Sequence, residues 1–257
     1  MDTDTVQSYL SRIGAPTPTG PTVEVLRDLH RRHLETVPFE NLSIHLDERI
    51  VLTEEALVDK VVRRGRGGFC YELNGLFAEL LRALGFEVDL LAARVLVDDG
   101  RVATPLFDHL ALLVRLDERY LVDVGFGKHA TYPLRMDWPE AQPDPAGDFL
   151  VVDAPHGDVD VLMDGVPQYR VETRPRPMSD FERPCWWQET APDSHFRDTP
   201  RCSRNTEHGR VTIVKDRLLE TVGDDRTETT LATEEEILTA YEKHFGFRLP
   251  RVPAPPV

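Results

Sequence analysis

The hydrophobic period of this chain changes at Gly85, and that change restricts the folds open to it. Before Gly85 apolar residues recur at helical spacing; after it they fall in short β-branched runs closed by turn residues. Helices first, a strand-rich middle and a mixed end predict an α+β chain of more than one unit. From Thr22, V-E-V-L-R-D-L-H-R-R-H-L places Val25, Leu26, Leu29 and His33 on one face, and V-P-F-E-N-L (37–42) stops it at Pro38. Thr53 is the expected cap of a helix over 53–62. A third helix opens near Cys70 and aligns Leu73, Leu76, Phe77, Leu80, Leu81 and Leu84. Strands are expected at 88–97, 109–116, 119–127, 148–153, 159–164 and 168–173, with prolines 175, 177 and 184 as punctuation. A hairpin-like 209–221, a capped helix over 233–245 and a loose proline-rich tail at 250–257 complete the reading.

Where helix meets glycine turn, residues 66–77 read R-G-G-F-C-Y-E-L-N-G-L-F. A thiol at a helix start meets free backbone N–H groups and the positive dipole end, which favour a thiolate; Arg63, Arg64 and Arg66 add to that. The competing reading is a buried structural cysteine. A nucleophile needs a base, and the base an orienting partner. His109 opens an apolar strand, and Asp123 sits within L-V-D-V, where an ionised carboxylate needs a partner. A two-residue turn at Asp117–Glu118 would pair 116 with 119 and set His109 opposite 126. His109 and Asp123 would then lie on opposite faces, so their meeting requires a bulge, a longer loop or strong twist.

The formal charge of −15 over 257 residues argues against nucleic acid and anionic membranes as bulk partners, while a local basic patch could hold a phosphorylated small molecule. The acidic start M-D-T-D-T-V lacks a secretory apolar region, and no apolar run approaches the roughly 18 residues of a membrane span. The three cysteines, at 70, 185 and 202, form neither a disulfide nor a zinc framework, so a reducing cytoplasm is expected. No histidine or cysteine spacing suggests a metal site. His30 and His33 are expected to pack in or cap the helix pair. His45, His129, His156, His195, His208 and His244 are expected at the surface or in loops, and Cys185 and Cys202 as structural residues.

R-G-G-F-C-Y-E-L-N (66–74), D-H-L-A-L (108–112) and V-D-V-G-F-G (122–127) resemble the three signature segments of the arylamine N-acetyltransferases. V-P-F-E-N-L and W-Q-E-T-A-P-D-S-H-F…C-S (187–203) resemble that family's N- and C-terminal segments, in family order. The resemblance implies a Cys70–His109–Asp123 triad on a cysteine-protease-like core: a helical bundle (1–86), an antiparallel β-barrel (87–185) and an α/β lid (186–249). It implies acetyl-CoA as co-substrate with no permanently bound cofactor, and small aromatic amines or hydrazines as acceptors. Transfer would be ping-pong through an acetyl-cysteine. Phe39, Val95 and Phe126 would line the acceptor pocket, Gly125 and Gly127 would admit acetyl-CoA to the sulfur, and Arg66 would pair with Glu40 and Asn41. Trp187 and Glu189 stand in a segment where histidine is more usual in many bacterial relatives, and Lys128 follows G-F-G where the residue type varies; these positions bear on acceptor preference. Arg197, Arg201 and Arg204 are candidates for the CoA phosphates, with solvated basic residues as the plainer reading. The resemblance leaves open an amide synthase fed by a carrier-bound thioester. The order Cys…His…Asp also suits a cysteine hydrolase, and a structural Cys70 would suit an idle binding protein. Oligomeric state is not legible.

Overall fold

A computed structural model describes residues 1–96, 104–223 and 225–256. The sequence-read helices form where their caps lie. Thr22 accepts a hydrogen bond from Val25 N at 3.3 Å ahead of Val23–Thr36. Thr53 accepts from Ala56 N at 3.5 Å ahead of Glu54–Leu57, which passes into a π-helical turn, Val58–Arg63. The third helix, Cys70–Ala83, is buried at nearly every position from Cys70 to Leu81. Its Leu73, Leu76, Phe77, Leu80 and Leu81 are fully enclosed, each contributing about 1.5–3 kcal/mol by leaving water. Two helices of ten or more residues, and the single turn Leu42–His45, escaped the sequence reading. Thr3–Arg12 buries only Val6, Tyr9 and Leu10, a weak periodic signal, and Asp2 caps it. Ser179–Thr190 accommodates Pro184 within it while Phe181, Cys185 and Gln188 turn inward.

Beyond Gly85 the strands form an eight-stranded antiparallel sheet. Its order is Leu134–Arg135, Arg119–Val122, His109–Arg115, Glu87–Val95, Val166–Arg176, Val159–Met163, Gly147–Asp153 and Gln142–Asp144. The sheet curls until its two edges meet. Gln142 accepts from Arg135 N at 2.7 Å and donates to Arg135 O at 2.9 Å, and the Asp144 carboxylate accepts from Thr131 N and Tyr132 N. The result is a nearly closed barrel. Alternation sorts the strand side chains: Leu91, Ala93, Ala111, Leu113, Leu121 and Tyr169 fill the barrel. Leu90, Leu110, Leu112, Val114 and Val122 pack outward on the Cys70–Ala83 helix. The strand expected at 88–97 runs Glu87–Val95, and residues 97–103 lie outside the described residues.

The last third builds a second sheet, ordered Phe39–Glu40, Arg201–Thr206, Gly209–Val214, Arg217–Val222 and Asp225–Thr230, so the V-P-F-E-N-L segment is an edge strand of the C-terminal unit. Helix Glu234–Phe245 covers it, capped by Thr233 with a reciprocal bond from Glu236. The tail is not loose as composition suggested. Pro253 is buried, Ala254 N donates to His45 O at 3.2 Å, and Arg251 bonds the same carbonyl. A proline-rich segment that forms no regular pairing is held by isolated hydrogen bonds instead.

Candidate active site

Cys70 is the first residue of its helix and 3% exposed. The helix start is fixed from beneath. Glu72 reaches back to accept from Phe69 N at 3.2 Å, and its other oxygen takes Lys60 Nζ at 2.7 Å. Arg66 Nε donates to Glu40 Oε1 at 3.0 Å, and Glu40 Oε2 accepts from Leu42 N at 2.7 Å. All four charged side chains are buried. Burial pushes the Glu72 carboxyl up; on Glu40 it acts the same way, but Arg66 and Lys60 outweigh it and hold that carboxyl below its ordinary value. The second partner of Arg66 is Glu48, at 3.3 Å, and not the expected Asn41. Asn41 instead bonds the carbonyls of Phe196 and Thr199 and the amide of Arg201, at 2.7–2.9 Å, pinning the 196–201 segment over the site.

His109 and Asp123 come together through the hairpin register. Arg115 pairs with Arg119 and Leu112 with Val122, with Leu116 N donating to Glu118 O inside the turn. This loop is one residue longer than the two-residue turn expected, and a one-residue slip moves every side chain of a strand to the other face. His109 and Asp123 therefore share the barrel face. Their strand pairing ends at Val122, which frees Asp123 to turn inward, and Nε2 of the imidazole stands 2.7 Å from Asp123 Oδ2. The other carboxylate oxygen accepts from Asn74 Nδ2 at 2.8 Å and from Gly125 N at 2.9 Å. Asn74 lies one helical turn after Cys70. It also donates to Leu110 O at 2.6 Å and accepts from Val124 N at 2.9 Å, tying helix, strand and loop together. Gly125 is where loop and helix touch: a Cβ there would come 2.6 Å from Cys70 Cα. His30 joins from the second helix. It donates from Nδ1 to Thr131 O at 2.8 Å and accepts Asp123 N on Nε2 at 3.4 Å, a neutral tautomer consistent with burial lowering its pKa.

Electrostatics match the geometry. Burial alone would lower the pKa of His109, but the Asp123 charge and hydrogen bond, and then the bond to the Cys70 side chain, raise it. Burial would raise Asp123, but His109 and Asn74 hold it well below its ordinary value. With Nε2 engaged by Asp123, Nδ1 is the ring atom left for the sulfur.

Cys70, His109, Phe39, Val95, Gly125 and Phe126 line one cavity of about 470 Å³, together with Asp108, Phe196 and Arg201. Gly127 lies just outside, at φ +96°, with its carbonyl bonded by Arg210 Nη2 at 2.7 Å. Of the three candidate arginines, Arg201 lines the cavity. Arg197 bonds Glu189 O, and Arg204 bonds the carbonyls of Glu35 and His244. Two histidines expected at the surface are buried. His45 is held between Phe196 O and Ala254 O, and His129 bonds the Tyr169 hydroxyl at 3.0 Å behind His109. Asn74, Asp108 and Tyr71 went unassigned in the sequence reading. Asn74 left a signal there, as an amide on an otherwise apolar helix face. A second cavity, of about 690 Å³, lies on the far side of Tyr71 and Asp108 and is walled by Trp186 and Trp187. Among the described residues no group of three or more His, Cys, Asp or Glu side chains could hold a metal ion, and no helix is long and apolar enough to cross a membrane.

Known proteins share this arrangement of chain. The family described as N-acetyltransferase matches residues 22–253. The arylamine N-acetyltransferase / N-hydroxyarylamine O-acetyltransferase of Salmonella typhimurium is 34% identical over 218 residues, 82% of this chain and 77% of its own length. The arylamine N-acetyltransferase of Mycolicibacterium smegmatis is 38% identical over 199 residues, 73% of this chain and 72% of its own. The solved structure of the Mycobacterium marinum arylamine N-acetyltransferase in complex with CoA matches with a TM-score of 0.85 at 31% identity, covering 94% of this chain and 92% of that one.

Proposed function

This chain belongs to the arylamine N-acetyltransferase family, and on that premise we propose that it moves the acetyl group of acetyl-CoA to an aromatic amine or hydrazine through an acetyl-cysteine at Cys70. In the first half-reaction the Cys70 proton passes to His109 and the sulfur attacks the thioester carbonyl. The carbon–sulfur bond to CoA breaks, and the departing thiolate takes the proton from His109. In the second, the amine nitrogen attacks the acetyl carbon, its proton goes to His109, and the bond to Cys70 breaks. Asp123 holds the ring and offsets its positive charge. The amides at the helix start face the developing oxyanion. Phe39, Val95 and Phe126 form an apolar wall that favours a flat aromatic acceptor over water.

The observation that carries this reading is the meeting of a helix-start sulfur with an imidazole whose far nitrogen is 2.7 Å from a buried carboxylate, on the wall of one cavity. Intact-mass measurement after mixing with acetyl-CoA tests it. The expected result is a gain of one acetyl group, discharged by an arylamine with formation of the N-acetyl product and absent in Cys70→Ala. Acetyl transfer that survives Cys70→Ala overturns it. Discharge to water alone points to a hydrolase, and inertness toward acetyl-CoA to a carrier-bound donor.

A further inference from the structure

Asp108 is the residue before His109, 6% exposed, and it lines the cavity that holds the Cys70 sulfur; its own carbonyl oxygen is 4.0 Å from that sulfur. Nothing in the two half-reactions uses its carboxylate. The group is held in place: Gln188 Nε2 donates to Oδ1 at 2.5 Å, Gln188 Oε1 accepts from Ser194 Oγ at 2.7 Å, and Tyr71 O–H donates to the Asp108 carbonyl at 3.0 Å. Among the described residues no arginine or lysine forms an ion pair with it. Asp198, Arg201 and two histidines, His109 and His195, line the same cavity, and the charge His109 carries is offset by Asp123. Asp198 and Arg201 are themselves exposed, where water screens them, whereas Asp108 is enclosed. Burial raises the Asp108 carboxyl, while Thr104, the neighbouring histidines 109 and 195 and the Gln188 bond oppose that; when ionised, its charge is felt across the aromatic-walled cavity, because the surrounding dielectric is low.

We infer that Asp108 is a specificity-determining residue that excludes acceptors carrying a ring carboxylate and favours uncharged arylamines and hydrazines. An anionic ring placed with its amino group at Cys70 would bring a second carboxylate within several ångströms of the first, and the buried cation nearest them, His109, is already paired with Asp123 at 2.7 Å. An uncharged ring meets no such opposition, and its N–H groups can donate toward the carboxylate. This inference rests on the acetyl-cysteine reading, and the test separates the two.

Acetyl-enzyme is prepared with acetyl-CoA, and its discharge is followed with 4-aminobenzoate and with its methyl ester, a matched pair differing in charge. The ester is expected to react at least about tenfold faster at limiting concentration. Asp108→Asn keeps an oxygen to accept the Gln188 bond and is expected to narrow that ratio about tenfold. Asp198→Asn, at an exposed position, is expected to move it less than about threefold. A second measurement needs no variant: the wild-type ratio should hold when salt rises to about 0.5 M, since buried charges are poorly screened. An unchanged ratio in Asp108→Asn, an equal change in Asp198→Asn, or a wild-type ratio that collapses with salt overturns the assignment of Asp108. Failure to form any acetyl-enzyme overturns the underlying mechanism, and the inference with it.

Discussion

Asn74 shows how much one unremarked side chain can carry. It satisfies Asp123, Leu110 O and Val124 N at once, each within 2.9 Å and all buried. Replacing it by alanine leaves three buried groups short of a partner, at about 1–3 kcal/mol each, partly recovered by relaxation. The expected outcome for Asn74→Ala is a loss of about 3 kcal/mol in denaturant unfolding, with slower acetylation of Cys70 because Asp123 no longer fixes the imidazole. Asn74→Asp should be worse on both counts, since it sets a carboxylate against a carboxylate. A wild-type acetylation rate in a folded Asn74→Ala would show that Asp123 needs no such support. The sequence made Cys70, His109 and Asp123 legible because each is a polar residue set among apolar neighbours. It could not give the partners, because the bonds of Asn74 reach residues 36 to 50 positions away. His45 and His129 were expected at the surface or in loops for the same reason: a histidine's burial depends on what folds over it.

At the scale of elements, the site depends on how closely the 123–127 loop approaches the first turn of the Cys70–Ala83 helix. Two glycines in that loop are there for different reasons, and substitution should tell them apart. In Gly125→Ala the new Cβ would stand 2.6 Å from Cys70 Cα and 2.7 Å from Asn74 Nδ2, backbone and a bonded amide that cannot move aside. The loop must lift from the helix, taking Asp123 with it. Acetylation is expected to fall by at least a hundredfold, about 2.7 kcal/mol or more in transition-state terms. At Gly127 the nearest atoms to a new Cβ are Phe39 ring carbons at 3.9 Å, so Gly127→Ala faces only the φ of +96°. That conformation costs about 1–2 kcal/mol for alanine, chiefly in stability. Equal losses in the two variants would contradict this account. Element types and most boundaries followed from caps and periodicity, but the decisive register did not. A two-residue turn places His109 and Asp123 on opposite faces, and only the extra loop residue near Glu118 brings them to one. Sequence periodicity fixes which residues alternate, not which strand slips by one. The resemblance to a family supplied what spacing could not.

Across the whole molecule, the buried histidines set how stability depends on pH. His30, His33 and His129 are enclosed, and burial lowers the pKa of each, to about 3 for His33 and about 4 for His129. In the unfolded chain all three titrate near 6.5. Between those values the unfolded state binds more protons, so their contribution is complete above about pH 6.5 and declines as pH falls toward the folded pKa values. His109 has the opposite sign. Its raised pKa gives stability that is full below about 6.5 and lost as pH rises through the folded value. It is charged in both states at pH 5–6 and adds no slope there. Asp123, held low, loses its contribution only below the unfolded carboxylate range near 3.9. The formal charge of −15 acts the other way, since acid relieves repulsion, but much of it sits on exposed carboxylates that salt screens. The stability curve is therefore expected to peak near neutral pH and to fall by about 2.4 kcal/mol between pH 6 and 5 from His33 and His129, with His30 adding in the same direction. Urea unfolding at fixed salt across pH 4.5–8 measures it. His33→Gln, which still offers the Tyr9 hydroxyl a partner, should remove about 1.2 kcal/mol of that fall. An acid limb that begins only below about pH 4.5 would assign the loss to carboxylates, and the histidine cluster behind the site would then not be neutral in the folded protein.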